Sequence, residues 1–336
     1  MRRPRVFVTR AIPEEPMRLL RGNLEVDAWP QEDLKPSREE IIEHIRDKEG
    51  ILTLLTDEID AEVMDSAPNL KIIANYAVGY DNIDVKAASE RGILVTNTPE
   101  VLTETVADLT FALILSVARG IVKYDALVRG RGWKGDWKPM LFLGSDVHGK
   151  TLGIVGLGRI GEAVARRARG FDMRILYFDI VRRGELEGEL GVEYVSLEEL
   201  LRASDYVSLH VPLMRETRHM MGEEEFNLMK ATAYLINTSR GPVVDEEALY
   251  KALKERRIAG AALDVFEVEP LSDDNPLLEL ENVVLTPHIG SASPETRIGM
   301  GLLAAEALVD FLARKRAPRY VVNPEVLRGL DLKREA

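Results

Sequence analysis

Short apolar segments alternate with amphipathic helical patterns from the beginning of the chain. Helical periodicity occurs over about 14–21 and from Ser37 to about Lys48, where Ser37 and Glu40 have the spacing of a capping box. Strands that alternate with helices predict βαβ units and a parallel sheet. The strand patterns of the first hundred residues lie at about 6–8, 24–26, 51–55, 71–74 and 93–95.

A second series of the same kind begins at Thr151. A long apolar helix over 103–119 and an irregular segment over 129–149 separate the two series, and a last helix is predicted over about 294–314. We therefore predict an α/β protein with two doubly wound parallel-sheet domains and a substrate cleft between them. The strands predicted for the second series are 151–155, 174–178, 205–210, 233–237, 259–264 and 283–286.

The composition excludes several kinds of site and partner. The chain has 336 residues and no cysteine, which rules out disulfide bonds, thiolate metal ligands and a cysteine nucleophile, and we expect no metal site. A formal net charge of −12 argues against a nucleic-acid partner. The most apolar stretch, 109–118, is too short to cross a bilayer, and the N-terminal residues have the pattern of a strand rather than of a signal peptide. We therefore expect a cytoplasmic protein with no membrane partner.

The second series opens with a glycine motif between a strand and a helix. Strand 151–155 is followed by Gly156-Leu157-Gly158-Arg159-Ile160-Gly161 and then by a helical segment. In this setting the first glycine permits a tight turn, the second lets a pyrophosphate approach the backbone, and the third lets the helix pack closely on the strand. The helix N-terminus offers N–H groups to phosphates. The pattern predicts a Rossmann dinucleotide-binding unit with residues 156–161 at the cofactor.

A carboxylate stands where the ribose of such a cofactor is expected. The next predicted strand ends in Asp179, 18 residues after Gly161, and Ile180 and Val181 follow it in the predicted cofactor site. A carboxylate at this position accepts from ribose hydroxyls and repels the 2′-phosphate of NADP, so NAD is favoured and NADP is the weaker alternative. Arg182 and Arg183 come next, and they either blunt this preference or belong to a solvated loop.

Further strand ends carry side chains suited to the reduction of a 2-oxo acid. That reaction needs a group that holds the carboxylate, a group that polarises the ketone and a proton donor. Parallel strands end at one edge of a sheet, where ligands bind in open α/β folds. Surface ion pairs or a polar loop are the alternatives for the charged residues. The side chains after strands 233–237, 259–264 and 283–286 are, in order, Arg240, then Asp264 and Glu269, then His288.

Two segments, 98–108 (TPEVLTETVAD) and 287–292 (PHIGSA), resemble the D-isomer-specific 2-hydroxyacid dehydrogenases, in particular their glyoxylate/hydroxypyruvate reductase branch. The resemblance extends over nearly the whole chain. It implies that Arg240 binds the substrate carboxylate and carbonyl and that His288 is the catalytic acid/base. It also implies that Glu269 pairs with His288 and orients it.

The same resemblance implies the remaining contacts. It places the peptide N–H groups of Val78 and Gly79 on the substrate carboxylate, together with Arg240 and His288, and it places Asp264 at the nicotinamide carboxamide. The other implied cofactor contacts are Thr105, Thr238, Ser239, Arg240, His288, Ile289 and Gly290.

The resemblance further implies a discontinuous chain organisation. Residues 1–99 with 289–336 would form a flavodoxin-like substrate domain, and residues 100–288 would form a Rossmann domain inserted in it. An arm over about 121–147 would hold a homodimer together.

We therefore expect an NADH-dependent reductase of glyoxylate, and of hydroxypyruvate, with His288 as acid/base. Other possibilities stay open at this point. One is another D-2-hydroxyacid dehydrogenase, of the phosphoglycerate or D-lactate type. Others are a dehydrogenase of phosphite or another oxyanion, and a non-enzymatic NAD-sensing binding protein, because related corepressors resemble this fold.

Overall fold

The computed structural model describes residues 2–31, 34–330 and 332. The chain divides into two compact units, residues 1–102 with 292–336 (unit 1) and residues 103–291 (unit 2). The strands are β1 (Arg5–Val8), β2 (Glu25–Ala28), β3 (Gly50–Thr53), β4 (Ile72–Asn75), β5 (Leu94–Thr96), β6 (Thr151–Val155), β7 (Arg174–Phe178), β8 (Glu193–Tyr194), β9 (Tyr206–Leu209), β10 (Tyr234–Asn237), β11 (Gly260–Leu263) and β12 (Val283–Leu285).

The helices alternate with these strands, as the sequence pattern predicts. They are α1 (Glu14–Asn23), α2 (Arg38–Ile45), α3 (Ala61–Asp65), α4 (Val85–Glu90), α5 (Thr103–Arg119), α6 (Ile121–Arg129), α7 (Arg159–Arg169), α8 (Gly184–Leu190), α9 (Leu197–Ala203), α10 (Glu223–Leu228), α11 (Glu246–Lys254) and α12 (Pro294–Leu308).

Unit 1 is built on a five-stranded parallel sheet in the order β2-β1-β3-β4-β5. This is the flavodoxin-like order, so the predicted fold class is confirmed for this unit. The capping box at the start of α2 is present: the Ser37 hydroxyl accepts the N–H of Glu40 at 3.2 Å, and the Glu40 carboxylate accepts the N–H of Ser37 at 2.7 Å. Helix α12 packs on α1, β3 and β4.

The end of the last helix differs from the prediction. A single helix was expected to about residue 314, but α12 ends at Leu308 and Val309–Arg314 forms a π-helical turn that stops at Lys315, with φ of 58°. The sequence pattern cannot distinguish the two forms, because the turn still buries Val309, Phe311 and Leu312.

Unit 2 is built on a seven-stranded parallel sheet in the order β12-β11-β10-β9-β6-β7-β8. Read outward from β6, this is the Rossmann order, which confirms the predicted fold class here as well. Apolar clusters cover both faces, so β6, β9, β10 and β11 are largely buried and appear in the sequence as mostly apolar runs. The sequence pattern did not predict β8, which has only two exposed residues.

The segment after α5 contains a helix that the sequence pattern did not predict. Helix α6 has no buried residue, so its apolar positions do not show the stripe of a core helix. From 130 to 150 the chain has no helix or strand, as predicted. Within the described ranges, no single helix is long and apolar enough to cross a membrane; α5 and α6, bent by 64° at their junction, pass such a test only when counted together.

Candidate active site

The glycine motif forms the turn between β6 and α7. Gly156 has φ of 94°, and a Cβ there would lie 2.8 Å from the carbonyl oxygen of His210. A Cβ on Gly161 would lie 2.2 Å from the carbonyl oxygen of Gly156, so the helix approaches the loop more closely than any side chain allows. Gly158, the N-cap of α7, faces open space instead. The three glycines therefore differ in role: two are required by the backbone, and one leaves room for a ligand.

Helix α7 is long enough to present a well-formed N-terminus at this turn. It begins at Arg159 and Ile160, directly after the open position of Gly158. The N–H groups of a first helical turn and the positive end of the helix dipole make such a terminus a binding site for phosphates. Gly158 and the start of α7 thus fit the pyrophosphate of a dinucleotide.

Asp179, directly after β7, binds the glycine loop through its carboxylate. Its Oδ2 accepts the N–H of Leu157 at 2.7 Å, and its Oδ1 accepts the N–H of Val181 at 3.2 Å. Ile180 is 89% exposed. The carboxylate is therefore fixed beside the loop, as expected of a group that binds ribose hydroxyls.

The loop after β10 carries Arg240. Asn237 ties this loop together, because its Oδ1 accepts the N–H and hydroxyl of Ser239 at 3.0 and 2.8 Å and its Nδ2 donates to the carbonyl of Arg240 at 2.9 Å. The Arg240 Nη1 donates to the carbonyl of Ser239 at 2.8 Å. A Cβ on Gly241 would lie 1.8 Å from the carbonyl carbon of Phe266, so this loop presses against the segment after β11.

Two threonines predicted at the cofactor lie on adjoining elements of unit 2. Thr238 shares a hydrogen bond with Thr110 of α5, with 3.0 Å between the hydroxyl oxygens. Thr105 lies in the first turn of α5 and is partly exposed.

The buried carboxylate of Asp264 organises the loop that carries His288. Oδ1 accepts the hydroxyl of Thr286 at 2.6 Å and the N–H of Ile289 at 2.8 Å, and Oδ2 accepts the N–H of Gly290 at 2.8 Å. The Asp264 carbonyl accepts the N–H of His288 at 2.9 Å. Burial raises the pKa of Asp264, and the hydrogen bonds from Thr286, Ile289 and Gly290 oppose that rise.

His288 and Glu269 form a close pair at the same edge of the sheet. Glu269 Oε2 lies 2.7 Å from Nδ1 of His288, and Glu269 Oε1 accepts the N–H of Phe266 at 3.0 Å. Burial by itself raises the pKa of Glu269, but the hydrogen bond and charge of His288 outweigh it and leave that pKa below its ordinary value. His288 has φ of 52°, a strained value for a residue with a side chain. The carboxylate on Nδ1 leaves Nε2 as the ring nitrogen that can exchange a proton with a ligand.

The other histidines occupy different surroundings. His210 directly follows β9 and contacts the Ser208 hydroxyl at 2.8 Å, and burial lowers its pKa to about 3. His219 pairs with Glu267 through Nε2 at 2.7 Å. His44 contacts Asp27 at 3.0 Å in unit 1, and His148 is exposed.

Val78 and Gly79, in unit 1, lie in the turn after β4. Asn97 donates to the carbonyl of Val78 and Asn75 to that of Gly79, each at 2.8 Å. Within the described part of the chain, no acceptor takes the N–H of either residue, and both residues are partly exposed. These two N–H groups fit the binding of a carboxylate.

No group of three or more His, Asp or Glu side chains among the described residues is arranged to hold a metal ion. The chemical groups at the sheet edge of unit 2 are an arginine, a histidine–glutamate pair and a glycine turn that fits a phosphate.

Comparison with known proteins identifies the family. Residues 111–290 match the family model described as D-isomer specific 2-hydroxyacid dehydrogenase, NAD binding domain. The chain belongs to this family. The predicted family is therefore confirmed, and an NAD-binding Rossmann domain is shown for the chain.

Relatives named glyoxylate reductase match almost the full length of this dehydrogenase. The protein of Korarchaeum cryptofilum is 60% identical over 326 residues, covering 97% of this chain and 98% of the relative. That of Thermococcus litoralis is 54% identical over 328 residues, with coverage of 97% and 98%. These relatives confirm the predicted glyoxylate reductase branch.

Solved structures show the same fold. The TT0316 protein of Thermus thermophilus has a TM-score of 0.88 at 46% identity, covering 95% of this chain and 99% of the other. A glyoxylate reductase from Paecilomyes thermophila has a TM-score of 0.86 at 33% identity, covering 97% and 100%.

Two features of this dehydrogenase site were not predicted from the sequence. One is the role of Asp264 in holding the loop of His288, since the sequence indicated only a nicotinamide contact for it. The other is Asn237, which, like Asp264, is a polar residue at the carboxyl end of a buried strand. That position is the signal that could have found Asn237.

Proposed function

We propose that the chain reduces glyoxylate, and hydroxypyruvate, to the 2-hydroxy acid with NADH. The observation that supports this most directly is the pair of His288 and Glu269 at 2.7 Å, at the sheet edge that also carries Arg240 and the glycine loop. A histidine oriented by a carboxylate is a proton donor, and an arginine is the group that binds a carboxylate in two-point fashion. The names of the relatives support glyoxylate as substrate.

Each residue has a defined task in this proposal. When bound, reduced nicotinamide supplies the hydride. Arg240 holds the carboxylate of the substrate and polarises its ketone. Protonated His288 donates from Nε2 to the developing alkoxide oxygen, while Glu269 holds the ring through Nδ1 and stabilises its charge.

Unit 1 supplies a second group for the carboxylate. We assign this role to the N–H groups of Val78 and Gly79, whose carbonyls are held by Asn97 and Asn75. Two adjacent N–H groups of a turn form a small anion site without a charged side chain. Unit 1 is accordingly the substrate-binding part of the chain, and unit 2 is the nucleotide-binding part.

NAD is the preferred cofactor in this proposal. Asp179 is fixed beside the glycine loop by two N–H groups, so its negative charge stays at the ribose position. A 2′-phosphate there would meet a carboxylate at close range, whereas a ribose hydroxyl can donate to it.

The protein acts as a homodimer through the arm over about 121–147. Apolar side chains are exposed on α6 and beyond it, with Trp137 at 83% and Met140 at 80%, and a cluster of this kind indicates a protein interface. Sedimentation velocity should give twice the mass of one chain. Val128→Glu should shift it toward the monomer, while Leu278→Glu, which changes an exposed residue outside the arm, should not.

The function is tested by NADH oxidation with glyoxylate, hydroxypyruvate, pyruvate and bulkier 2-oxo acids. We expect turnover of the two small substrates, and a loss of at least about 100-fold in kcat in His288→Asn with little change in the Kd for NADH. His219→Asn is the matched control, since that histidine also pairs with a glutamate at 2.7 Å but lies outside the predicted site.

Other outcomes point elsewhere. Turnover only with bulkier oxo acids would indicate another D-2-hydroxyacid dehydrogenase. Tight NADH binding without turnover of any oxo acid would favour an NAD-sensing protein.

A further inference from the structure

Two arginines follow Asp179 at the edge of the proposed ribose site, and both are held by acids of α8. Arg182 lies in a two-point ion pair with Glu187: its Nε is 2.8 Å from Oε1 and its Nη2 is 2.7 Å from Oε2. Arg183 Nε lies 2.6 Å from Oε1 of Glu185. Arginine is over-represented where a phosphate is bound at two points, so these two cations are candidates to receive a 2′-phosphate.

The Glu187 carboxylate is not a freely rotating surface group. The hydroxyl of Tyr177, a fully buried residue of β7, donates to Glu187 Oε1 at 2.8 Å and accepts the N–H of Arg183 at 2.8 Å. The guanidinium of Arg182 also lies 5.6 Å from the centre of the Tyr194 ring. These contacts with Arg182 and Tyr177 lower the pKa of Glu187 to about 2, so it remains charged at any working pH.

Arg183 is the arginine that directly adjoins the glycine loop. Its Nη1 donates to the carbonyl of Leu157 at 3.2 Å, and the N–H of Leu157 donates to the Asp179 carboxylate. Glu162 and Asp179 add negative charge near it, beyond its ion pair with Glu185. An arginine is thus present where a phosphate would lie, but carboxylates already neutralise it.

We propose that Glu187 and Glu185 are positioning residues for cofactor selectivity: by holding Arg182 and Arg183, they keep both arginines from binding the 2′-phosphate of NADP. This rests on the proposed function, in which Asp179 binds the ribose. The site would then have two separate determinants of NAD preference. The carboxylate of Asp179 repels the 2′-phosphate, and the two ion pairs keep Arg182 and Arg183 from binding that phosphate.

The test is equilibrium binding, which does not require turnover. The Kd values for NADH and NADPH are measured by fluorescence titration, and those for 5′-AMP and 2′,5′-ADP, which differ by the 2′-phosphate, are measured by competition. Glu187→Gln, Glu185→Gln and the double variant should bind NADPH and 2′,5′-ADP about tenfold more tightly, because each gains a charge-assisted hydrogen bond to phosphate. Their affinity for NADH and 5′-AMP should stay unchanged.

Glu189→Gln is the matched control for charge. It lies on the exposed side of α8 and removes the same charge, but in the described part of the chain its side chain contacts neither arginine. If Glu189→Gln increased the affinity for NADPH and 2′,5′-ADP equally, the effect would be a general electrostatic one and the proposal would be overturned. In the Glu187→Gln background, Arg182→Ala should abolish the gain, and persistence of the gain would overturn the role of Arg182.

Failure of this inference can be told apart from failure of the proposed function. If the glutamine variants bind NADPH no better, while substitution of Asp179 does change the ratio of the two Kd values, only this inference is wrong. A wild-type chain that binds neither nucleotide would overturn both.

Discussion

The carboxylate of Asp179 accepts the peptide N–H of Leu157, with 2.7 Å between Oδ2 and N. This bond joins the end of β7 to the glycine loop, so the acid both shapes the loop and sets its charge. Asp179→Asn keeps an acceptor for Leu157 and loses only the charge, whereas Asp179→Ala loses both. We expect Asp179→Asn to narrow the difference in Kd between NADH and NADPH while the affinity for NADH is largely kept. Asp179→Ala should narrow the same difference and also weaken the binding of both nucleotides. An unchanged ratio in both variants would exclude Asp179 as the selector.

Gly158 and Gly161 belong to one motif but should respond differently to alanine. A Cβ at 161 meets the Gly156 carbonyl at 2.2 Å, so Gly161→Ala should lower the free energy of unfolding by about 1–3 kcal/mol. A Cβ at 158 meets open space, so Gly158→Ala should keep its Tm and lose affinity for NADH. Thermal unfolding and nucleotide titration measure the two effects. Gly188→Ala, at an open position of α8, is the control and should not lower the Tm.

The bonds from Asp264 should control the position of His288. In Asp264→Asn an amide N–H₂ replaces one oxygen, so at least one of the donors from Thr286, Ile289 and Gly290 loses its acceptor in a buried place. We expect a destabilisation of about 1–3 kcal/mol and a fall in kcat larger than the change in KM. Thr286→Val, which removes a single donor, should have a smaller effect on both quantities. A kcat and KM in Asp264→Asn equal to those of the wild type would contradict the role of Asp264 in positioning His288.

Glu269 should keep its charge beside His288 across the neutral pH range. His288 holds the pKa of Glu269 below its ordinary value, so the carboxylate is charged at all pH values above that ordinary value and loses its charge only on further acidification. Reduction needs a protonated imidazole as proton donor and oxidation needs a neutral one as proton acceptor, so the rates of the two directions should have opposite pH trends.

Glu269→Gln removes the carboxylate charge beside Nδ1 of His288, so kcat should fall by about tenfold or more in both directions, with a smaller change in KM. The measurement is kcat and KM for reduction and for oxidation. Glu267→Gln, which pairs with His219 instead, should leave both quantities unchanged. A wild-type kcat in Glu269→Gln would count against the pairing.

The sequence predicted most of the sheet of unit 2, since strands such as β6 and β9 are buried on both faces and appear as mostly apolar runs. It did not predict β8 or α6, whose residues are exposed and carry no such signal. It placed one helix over 294–314, where the structure has α12 and a π-helical turn, because the same residues are buried in either form.

Local sequence by itself determined the glycine turn, the acid after β7 and the polar residues at the strand ends, because the geometry of a strand–turn–helix restricts which residues can stand at each position. Only the tertiary structure decided which of those residues meet. Asp264 binds Gly290, Glu269 binds His288, and Asp179 binds Leu157. These contacts depend on the order of strands in the sheet and on where each helix packs, and hydrogen bonds between groups distant in sequence leave no periodic trace in it.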